Sequence, residues 1–234
     1  MSKPIAIIPA RGGSKRLPRK NILPIMDAPM ISWPIRACLE SGVFEQVVVS
    51  TEDTEIAKIA ESYGARVIIR PPELATDEIH EGHAHNQVLD TLAAEGIAPE
   101  FVLVIYATAI LVNAQDIVNS EAMTRTEPVP DAVMSMSPYP YHPYKAFVRN
   151  EGGFWNPMYP KECKMQTQTY PHVLAINGTF CWCRVDVWRE NMHYCPEKFA
   201  CYEMPGERAV DIDTPEDYER AVAYTKLMHA GEGD

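Results

Sequence analysis

The chain has 234 residues, the length of one α/β domain, and its hydrophobic content of 46% is sufficient for a sizeable core. Its net charge of -11 argues against nucleic acid as the main partner. It also contains no apolar run near the roughly 20 residues that a membrane span requires, which argues against a membrane protein. Because the first predicted strand follows Met1 almost at once, we expect no signal peptide, a cytoplasmic location and reduced thiols at the six cysteines.

The first predicted element is a buried strand over residues 5–8, and a strongly basic loop follows it. The loop contains two glycines, a serine and five cations within ten residues: Arg11, Lys15, Arg16, Arg19 and Lys20. So much like charge is repulsive unless an anion fills the loop, and glycine leaves backbone N–H groups open to phosphate oxygens. The pattern predicts a polyphosphate-binding loop at the C-terminal edge of a parallel sheet, although neither G-x-x-x-x-G-K-[ST] nor G-x-G-x-x-G is present. The alternative is an ordinary basic surface loop.

The segment IIPARGGSKRLPRKN, residues 7–21, resembles the signature of the CMP-sugar synthetases. These are cytidylyltransferases that activate sialic acid and related nine-carbon keto acids. The resemblance implies CTP as a substrate and a nucleotidyltransferase fold of the glycosyltransferase-A-like type. It implies that Arg11 and Lys20 are catalytic residues on the phosphates, with Lys15 beside them and Arg16 as a weaker candidate. The nucleotide-binding residues that it implies in this loop are Ala10, Arg11, Gly12, Gly13, Ser14, Lys15 and Asn21.

Alternating helices and strands follow the basic loop. Helices are predicted over residues 30–42 and 51–63, and buried strands over residues 46–50 and 66–70. This β-α-β-α-β order predicts parallel strands in a Rossmann-like three-layer sandwich of the α/β class.

The next segment, RPPELATDEIHEGHAH, resembles the family's RP-x-EL-x-x-D stretch, which lies over the nucleotide in the family. The resemblance therefore implies that Arg70 and Asp77 contact the nucleotide, although Asp77 could equally begin the helix predicted over residues 79–95. His80, His83 and His85 form H-x-x-H-x-H, for which a metal role is conceivable. The spacing fits no standard zinc motif, so a partly exposed helix face is the favoured interpretation.

A fourth strand, predicted over residues 101–106, ends in Tyr106-Ala107-Thr108-Ala109. Because α/β proteins bind ligands at the C-terminal ends of strands, Tyr106 and Thr108 are candidates for contacts to base or sugar. The alternative is that Tyr106 is an ordinary strand aromatic. The run resembles that of the family's pseudaminic acid branch, except that Ile110 replaces a proline.

A helix over residues 114–124 and a strand over residues 132–137 precede an irregular stretch, residues 138–176, that is rich in tyrosine and proline. It is too long for a plain loop, and its aromatic content indicates a partner surface. In the family this region is an arm that crosses a dimer and helps to build the neighbour's sugar site. We therefore expect a homodimer, a dimerisation arm of residues 138–176, and a nucleotidyltransferase domain formed by residues 1–137 and 177–234.

Within and after the arm, QTYPHVLAING resembles the family's Q-D-L-P-x-x-Y-x-x-N-G. This match implies that Gln168 and Asn177 bind the substrate. The arginine that usually precedes the glutamine is Thr167 here, and only point-charge lysines such as Lys145 or Lys164 could replace it. The Asn-Gly pair is typical of the sialic acid branch, so the signals for the sugar conflict.

The remaining predicted elements are strands over residues 179–184 and 199–204 and a short helix over residues 186–191, with Cys181 and Cys183 as core thiols. AVDIDTPED follows, and its Asp211 and Asp213 alternate on an extended segment, so both carboxylates point the same way. Two adjacent carboxylates repel unless a cation lies between them, which suits Mg²⁺ beside a phosphate. Thr214 instead suits a helix cap. The run resembles the family's metal motif, which implies Asp211 and Asp213 as Mg²⁺ ligands and Asp211 as a catalytic residue.

The combined prediction is an Mg²⁺-dependent transfer of a cytidylyl group from CTP to a nine-carbon keto sugar acid, pseudaminic or sialic acid-like. One alternative is the synthetase for the eight-carbon sugar acid of lipopolysaccharide, a branch that normally has a shorter basic loop. A second alternative is a nucleotide-binding regulator without catalysis, suggested by the departures from the family at His80, Ile110 and Thr167.

Overall fold

The computed structural model describes residues 3–76, 78–192 and 194–230. Six α-helices lie in this part of the chain: α1 (Ser32–Ser41), α2 (Thr54–Ser62), α3 (Gly82–Ala94), α4 (Ala114–Met123), α5 (Val185–Asn191) and α6 (Pro215–Ala230). The strands are β1 (Ile5–Pro9), β2 (Pro24–Ile25), β3 (Ala28–Pro29), β4 (Gln46–Thr51), β5 (Arg66–Ile69), β6 (Phe101–Ile105), β7 (Ala132–Pro138), β8 (Phe147–Arg149), β9 (Trp155–Pro157), β10 (Leu174–Arg184) and β11 (Phe199–Glu203).

Seven of the strands form the central sheet, in the order β11-β7-β10-β6-β1-β4-β5. β1 lies in the middle and pairs in parallel with both β4 and β6. β4 pairs in parallel with β5, and β11 with β7, whereas β10 runs antiparallel to both of its neighbours. The predicted α/β class with a mostly parallel central sheet is therefore confirmed.

Helices cover both faces of this sheet, because the side chains of β1 alternate between two apolar clusters. Ala6 and Ile8 belong to the cluster that packs against α1, α2 and α4, and Ile5 and Ile7 belong to the one that packs against α3 and α5. This alternation across a sheet buried on both faces produces the predicted three layers. In the part of the chain that the structure describes, no helix has the length and apolarity needed to cross a membrane.

Three helices begin later than predicted, and the first of them, predicted from residue 30, begins at Ser32. The helix predicted from residue 51 begins at Thr54, because β4 continues to Thr51 and Asp53 caps α2 by accepting the Glu55 N–H at 2.9 Å. The helix predicted over residues 79–95 begins only at Gly82, where the Gly82 N–H donates to His80 Nδ1 at 3.1 Å. The side chain of His80 thus caps the helix from outside it.

The predicted irregular stretch, residues 138–176, is more regular than its composition indicates. β8 and β9 form an antiparallel hairpin within it, and β10 already begins at Leu174. The early start follows from pairing with β7, in which Leu174 lies opposite Pro138. Three aromatic side chains of this stretch are largely exposed: Tyr141 (86%), Phe154 (74%) and Trp155 (65%).

Candidate active site

A cleft of about 480 Å³ lies at the C-terminal edge of β1, β5 and β6. Eleven of the residues predicted from the sequence line it: Arg11, Ser14, Lys15, Arg16, Lys20, Asn21, Arg70, Tyr106, Thr108, Asp211 and Asp213. This is the edge at which an open α/β sheet binds its ligands. Five other predicted residues are not in the cleft wall formed by the described part of the chain, namely Ala10, Gly12, Gly13, Gln168 and Asn177. The prediction for Asp77 falls outside the described residues.

The basic loop after β1 is folded back on itself. The Asn21 side chain is buried and donates to the carbonyl oxygen of Arg11 at 2.9 Å, which ties the two ends of the loop together. Leu17 packs into an apolar cluster with Ile25 and Ile212, so the middle of the loop is fixed as well. These contacts leave Arg11, Lys15 and Lys20 on the wall of the cleft.

The two glycines of this loop have different environments. The Gly12 N–H donates to Glu52 Oε1 at 2.7 Å, and a Cβ on Gly12 would lie 2.5 Å from Asp53 Oδ2. A Cβ at position 12 would therefore force the Asp53 side chain, which caps α2, to shift. A Cβ on Gly13 would meet nothing within 4 Å, so only at Gly13 is the backbone open.

The predicted pair of aspartates lies opposite the basic loop. Val210 and Ile212 are buried, whereas Asp211 and Asp213 face the cleft, as their alternation on an extended segment predicts. Lys20 Nζ lies 3.0 Å from Asp213 Oδ1, which joins residues that are 193 positions apart in sequence. Arg16 also reaches Asp213, at 2.8 Å, so the two charged segments form one site.

The electrostatics of Asp211 suit a cation. Burial raises the pKa of its carboxyl above the ordinary value, and the nearby charge of Asp213 adds to this effect, while Lys20 opposes it. A cation between the two carboxylates would relieve this repulsion, and two carboxylates beside substrate phosphates are an oxygen donor set that Mg²⁺ uses. Within residues 3–76, 78–192 and 194–230, no cluster of three or more His, Cys, Asp or Glu side chains could hold a metal. An ion at Asp211 and Asp213 would therefore take its remaining ligands from water, backbone oxygens or the substrate.

The histidines of H-x-x-H-x-H do not form a metal site among the described residues. His83 is exposed on α3, whereas His85 is buried between Trp188 and Tyr194. Burial lowers the pKa of His85 to about 4, so its ring is neutral at physiological pH.

Arg70 is a buried guanidinium at the end of β5. Its Nε donates to the Ser50 hydroxyl at 3.2 Å, and its Nη2 donates to the Ser50 carbonyl oxygen at 3.0 Å. Burial lowers its pKa, while the charges of Glu52 and Glu81 favour the protonated form. Arg70 therefore presents a fixed positive charge to the cleft, as the predicted nucleotide contact requires.

Glu81 and Tyr194 are parts of this region that the sequence analysis missed. Glu81 lines the cleft, and its Oε1 accepts hydrogen bonds from the hydroxyl groups of Tyr106, at 2.6 Å, and Tyr194, at 2.9 Å. Burial and the charge of Glu81 both raise the pKa of Tyr106, so its hydroxyl stays protonated and donates. These residues come from three distant segments, and no motif in the sequence connects them.

Two of the predicted substrate residues have other partners. Gln168 is exposed on the arm, and its amide donates to Gln166 Oε1 at 2.9 Å. Asn177 accepts from the Ser135 hydroxyl at 2.8 Å and donates to that of Ser137 at 3.0 Å, which fixes β10 against β7. Its neighbour Gly178 is the residue that reaches the cleft.

The sheet, the basic loop after its first strand and the opposing carboxylates together define a nucleotide-binding α/β protein of the nucleotidyltransferase type. Comparison with known proteins gives the family. A sequence model described as cytidylyltransferase matches residues 5–146, and the chain belongs to the cytidylyltransferase family. The predicted resemblance is thereby confirmed.

Similar proteins extend this match beyond residue 146. The chain is 30% identical over 228 residues to a pseudaminic acid cytidylyltransferase of Campylobacter jejuni, which covers 97% of this chain and 98% of that protein. It is also 30% identical over 230 residues to N-acylneuraminate cytidylyltransferase A of Danio rerio, covering 97% of this chain and 51% of that protein. Among solved structures, a CMP:2-keto-3-deoxy-manno-octonic acid synthetase complexed with CTP has a TM-score of 0.70. The match covers 97% of this chain and 100% of the other at 17% identity, so the likeness concerns the fold.

Proposed function

We propose that this protein transfers the cytidylyl group of CTP to the anomeric hydroxyl of a nine-carbon keto sugar acid, pseudaminic or sialic acid-like, and releases pyrophosphate. The observation that carries the proposal is the cleft in which the basic loop meets the carboxylate pair, with Lys20 Nζ 3.0 Å from Asp213 Oδ1. The similarity along nearly the whole chain to a pseudaminic acid cytidylyltransferase supports this class of sugar.

In this reaction the sugar hydroxyl oxygen forms a bond to the α-phosphorus of CTP. The bond from that phosphorus to the bridging oxygen breaks, pyrophosphate leaves with the electron pair, and the hydroxyl proton is released. Catalysis of such a step consists mainly of positioning and charge neutralisation. Arg11, Lys15 and Lys20 supply positive charge to the phosphates from one wall of the cleft.

Two of the cations have weak existing partners. Arg16 and Lys20 both pair with Asp213, at partly exposed positions where an ion pair is worth about 0–1 kcal/mol. The triphosphate offers these side chains more negative charge than Asp213 alone, so they can exchange partners when CTP binds. Asp213 then becomes available for a metal ion.

Asp211 and Asp213 would hold Mg²⁺ at this place. When bound, the ion supplies Lewis-acid stabilisation of phosphate charge and lowers the pKa of a coordinated hydroxyl group. Asp211 is the catalytic carboxylate of the pair in this proposal, because burial beside Asp213 leaves its charge poorly compensated by the protein.

The remaining contacts divide between the nucleotide and the sugar. We assign Ser14, Asn21 and Arg70 to the nucleoside and phosphates, together with the backbone at Ala10 and Gly13. The predicted contact at Gly12 is not kept in this proposal, because the Gly12 N–H already donates to Glu52. We assign Tyr106 and Thr108 to the sugar side of the cleft, where both residues line it. Gln168 and Asn177 are substrate residues in this proposal only if the arm and β10 take part in a larger site.

We further propose that the protein acts as a homodimer whose arm, residues 138–176, completes the partner's sugar site. The exposed Tyr141, Phe154 and Trp155 give this arm an apolar surface that a second copy would cover. Measurement of the mass in solution tests the dimer, and a monomer at micromolar concentration would contradict it.

The function is tested by measuring pyrophosphate release from CTP with a panel of sugar acids: pseudaminic acid, sialic acid and the eight-carbon acid, each with and without Mg²⁺. We expect release with a nine-carbon acid and a product with the mass of its CMP derivative. Lys20→Ala should abolish most of this activity, whereas Lys58→Ala, which removes an exposed lysine on α2, should not. Tight CTP binding without pyrophosphate release from any sugar acid would favour a nucleotide-binding regulator. Pyrophosphate release only with the eight-carbon acid would show that the substrate is that acid and not a nine-carbon acid.

A further inference from the structure

Arg19 is a cation of the predicted phosphate loop that does not line the cleft formed by the described residues, and neither do its partners Asp53 and Glu55. Its guanidinium pairs with the carboxylate of Asp53, both through Nη1 and through Nη2, the latter at 3.3 Å from Asp53 Oδ1. Nη2 also lies 2.5 Å from Glu55 Oε2. We call these three residues, Arg19, Asp53 and Glu55, the Arg19 clamp.

The backbone of Arg19 has a conformation that is unusual for arginine. Its φ of 58° and ψ of 23° place it in the left-handed region, which favours glycine and is rarely adopted by a side chain as large as arginine. Arg19 and Lys20 are adjacent, yet Arg19 reaches Asp53 at the start of α2 while Lys20 reaches Asp213 across the cleft. The turn at Arg19 therefore separates a cation that holds the loop from one that faces the substrate.

The acidic partners fix the loop at both of its ends. Glu52 accepts the Gly12 N–H at 2.7 Å near the start of the loop, and Asp53 and Glu55 hold Arg19 near its end. Asp53 is itself fixed, because its Oδ1 caps α2 through the N–H groups of Glu55 and Ile56. The hydrogen bond to Arg19 lowers the pKa of Asp53, so the pair remains charged at physiological pH.

We propose that Arg19 is a positioning residue, which acts through Asp53 and Glu55 to hold the basic loop in its phosphate-binding conformation before the nucleotide arrives. The four other cations repel one another, and a loop without the clamp would spread and would have to be ordered again by the ligand. The proposal rests on nucleotide binding by this loop and is independent of the identity of the sugar acid.

Two substitutions remove the clamp while leaving other features intact. Arg19→Gly removes the side chain and suits the left-handed backbone, whereas Asp53→Asn removes the charge and retains a good helix cap. We expect each to weaken CTP binding about tenfold in a calorimetric titration without sugar acid, with kcat at saturating CTP within about twofold of the wild type. Arg19→Lys should restore part of the affinity. Because both residues act through one contact, the double variant should bind CTP no more weakly than the weaker single variant.

Asp53→Asn gives the decisive comparison. If Arg19 bound phosphate directly, loss of its Asp53 partner would release it toward the cleft, and CTP affinity would be unchanged or higher. That result would overturn the proposal, as would wild-type affinity in Arg19→Gly. Arg66→Ala is the matched control, since it breaks an ion pair with Glu95 at the N-terminal end of β5, whereas the cleft lies at the C-terminal ends of the strands. This variant should leave CTP affinity unchanged.

Hydrogen exchange without any ligand separates this proposal from the proposed function. We expect the amides of residues 11–20 to exchange faster in Arg19→Gly than in the wild type. Unchanged exchange would overturn the clamp even if CTP binds tightly. If the wild type failed to bind CTP, the proposed function would fail, while faster exchange in the variant would still support the clamp as a restraint on the loop.

Discussion

The bridge between Arg208 and Asp116 links the carboxylate segment of the cleft to the body of the domain. Arg208 stands three residues before Asp211, and its two terminal nitrogens lie 2.9 and 2.6 Å from the two oxygens of Asp116. Only 5% of the Asp116 side chain and 17% of the Arg208 side chain are exposed. The pair is thus bidentate and largely buried, unlike most surface ion pairs.

Arg208→Met should destabilise the protein by about 3 kcal/mol, because it leaves the Asp116 carboxylate buried without its counterion. Removal of one partner of a buried pair generally costs roughly 3–5 kcal/mol. We take the lower end because the Tyr202 hydroxyl, at 2.9 Å, and the Asn113 N–H, at 3.0 Å, still donate to Asp116. For a domain of this size such a loss corresponds to a fall in Tm of about 6–12 °C.

Urea and thermal unfolding of the variant test this magnitude. Asp116→Asn combined with Arg208→Met should cost less than the sum of the single changes, since the double variant leaves no buried charge. Arg220→Met is the control, because its pair with Asp217 is more exposed, with 56% of the Arg220 side chain accessible, and it should change stability by at most about 0.5 kcal/mol. A loss of stability in Arg208→Met as small as that in Arg220→Met would show that the bridge does not stabilise the fold.

One further prediction concerns the cleft and another concerns the buried His85. Asp211→Asn should reduce pyrophosphate release at least about 100-fold, because it removes a proposed metal ligand. Stability should not fall, because the raised pKa of Asp211 means that its charge is unfavourable in the folded protein. Full activity, measured with saturating Mg²⁺, would exclude Asp211 as a metal ligand. The pKa of the buried His85 is about 4 in the folded protein and about 6.5 in the unfolded chain. Between about pH 6.5 and pH 4 the unfolded chain therefore binds more protons, and the stability of the folded protein falls as the pH falls. Between pH 7 and pH 5 the wild type should therefore lose about 2 kcal/mol relative to His85→Gln, as measured by unfolding at both pH values. An equal loss in both proteins would show that His85 does not titrate in this way.

The hydrophobic pattern of the sequence and the positions of glycine and proline predicted the core of the fold well. Buried apolar runs located the strands of the parallel sheet, and α1 ends where expected, at Gly42, which has a φ of 65°. The prediction was wrong where an element depends on a distant partner. β10 extends back to Leu174 because β7 supplies its hydrogen bonds, through a bulge between Ile176 and Cys181, and local composition does not encode that pairing.

The candidate site divides in the same way. Order and spacing within single segments predicted the basic loop and the alternating aspartates, and the structure brings both to one cleft. The roles of Arg19 and Glu81 were missed, because each depends on side chains from other segments: Arg19 on Asp53, 34 positions away, and Glu81 on Tyr194, 113 positions away. The number of charges in the loop does not distinguish Arg19 from its neighbours. In the structure Arg19 has a left-handed backbone and pairs with a different partner.

The ion pairs of Arg19 and Lys20 therefore have different consequences. Lys20 pairs with Asp213 inside the cleft, and in the proposed function a triphosphate would compete for Lys20 and a metal ion for Asp213. Arg19 pairs with an aspartate that also caps a helix, so exchange of its partner would disturb α2 as well. In the proposed function, Lys20 can therefore exchange Asp213 for the triphosphate while the contact between Arg19 and Asp53 holds the backbone of the loop in place.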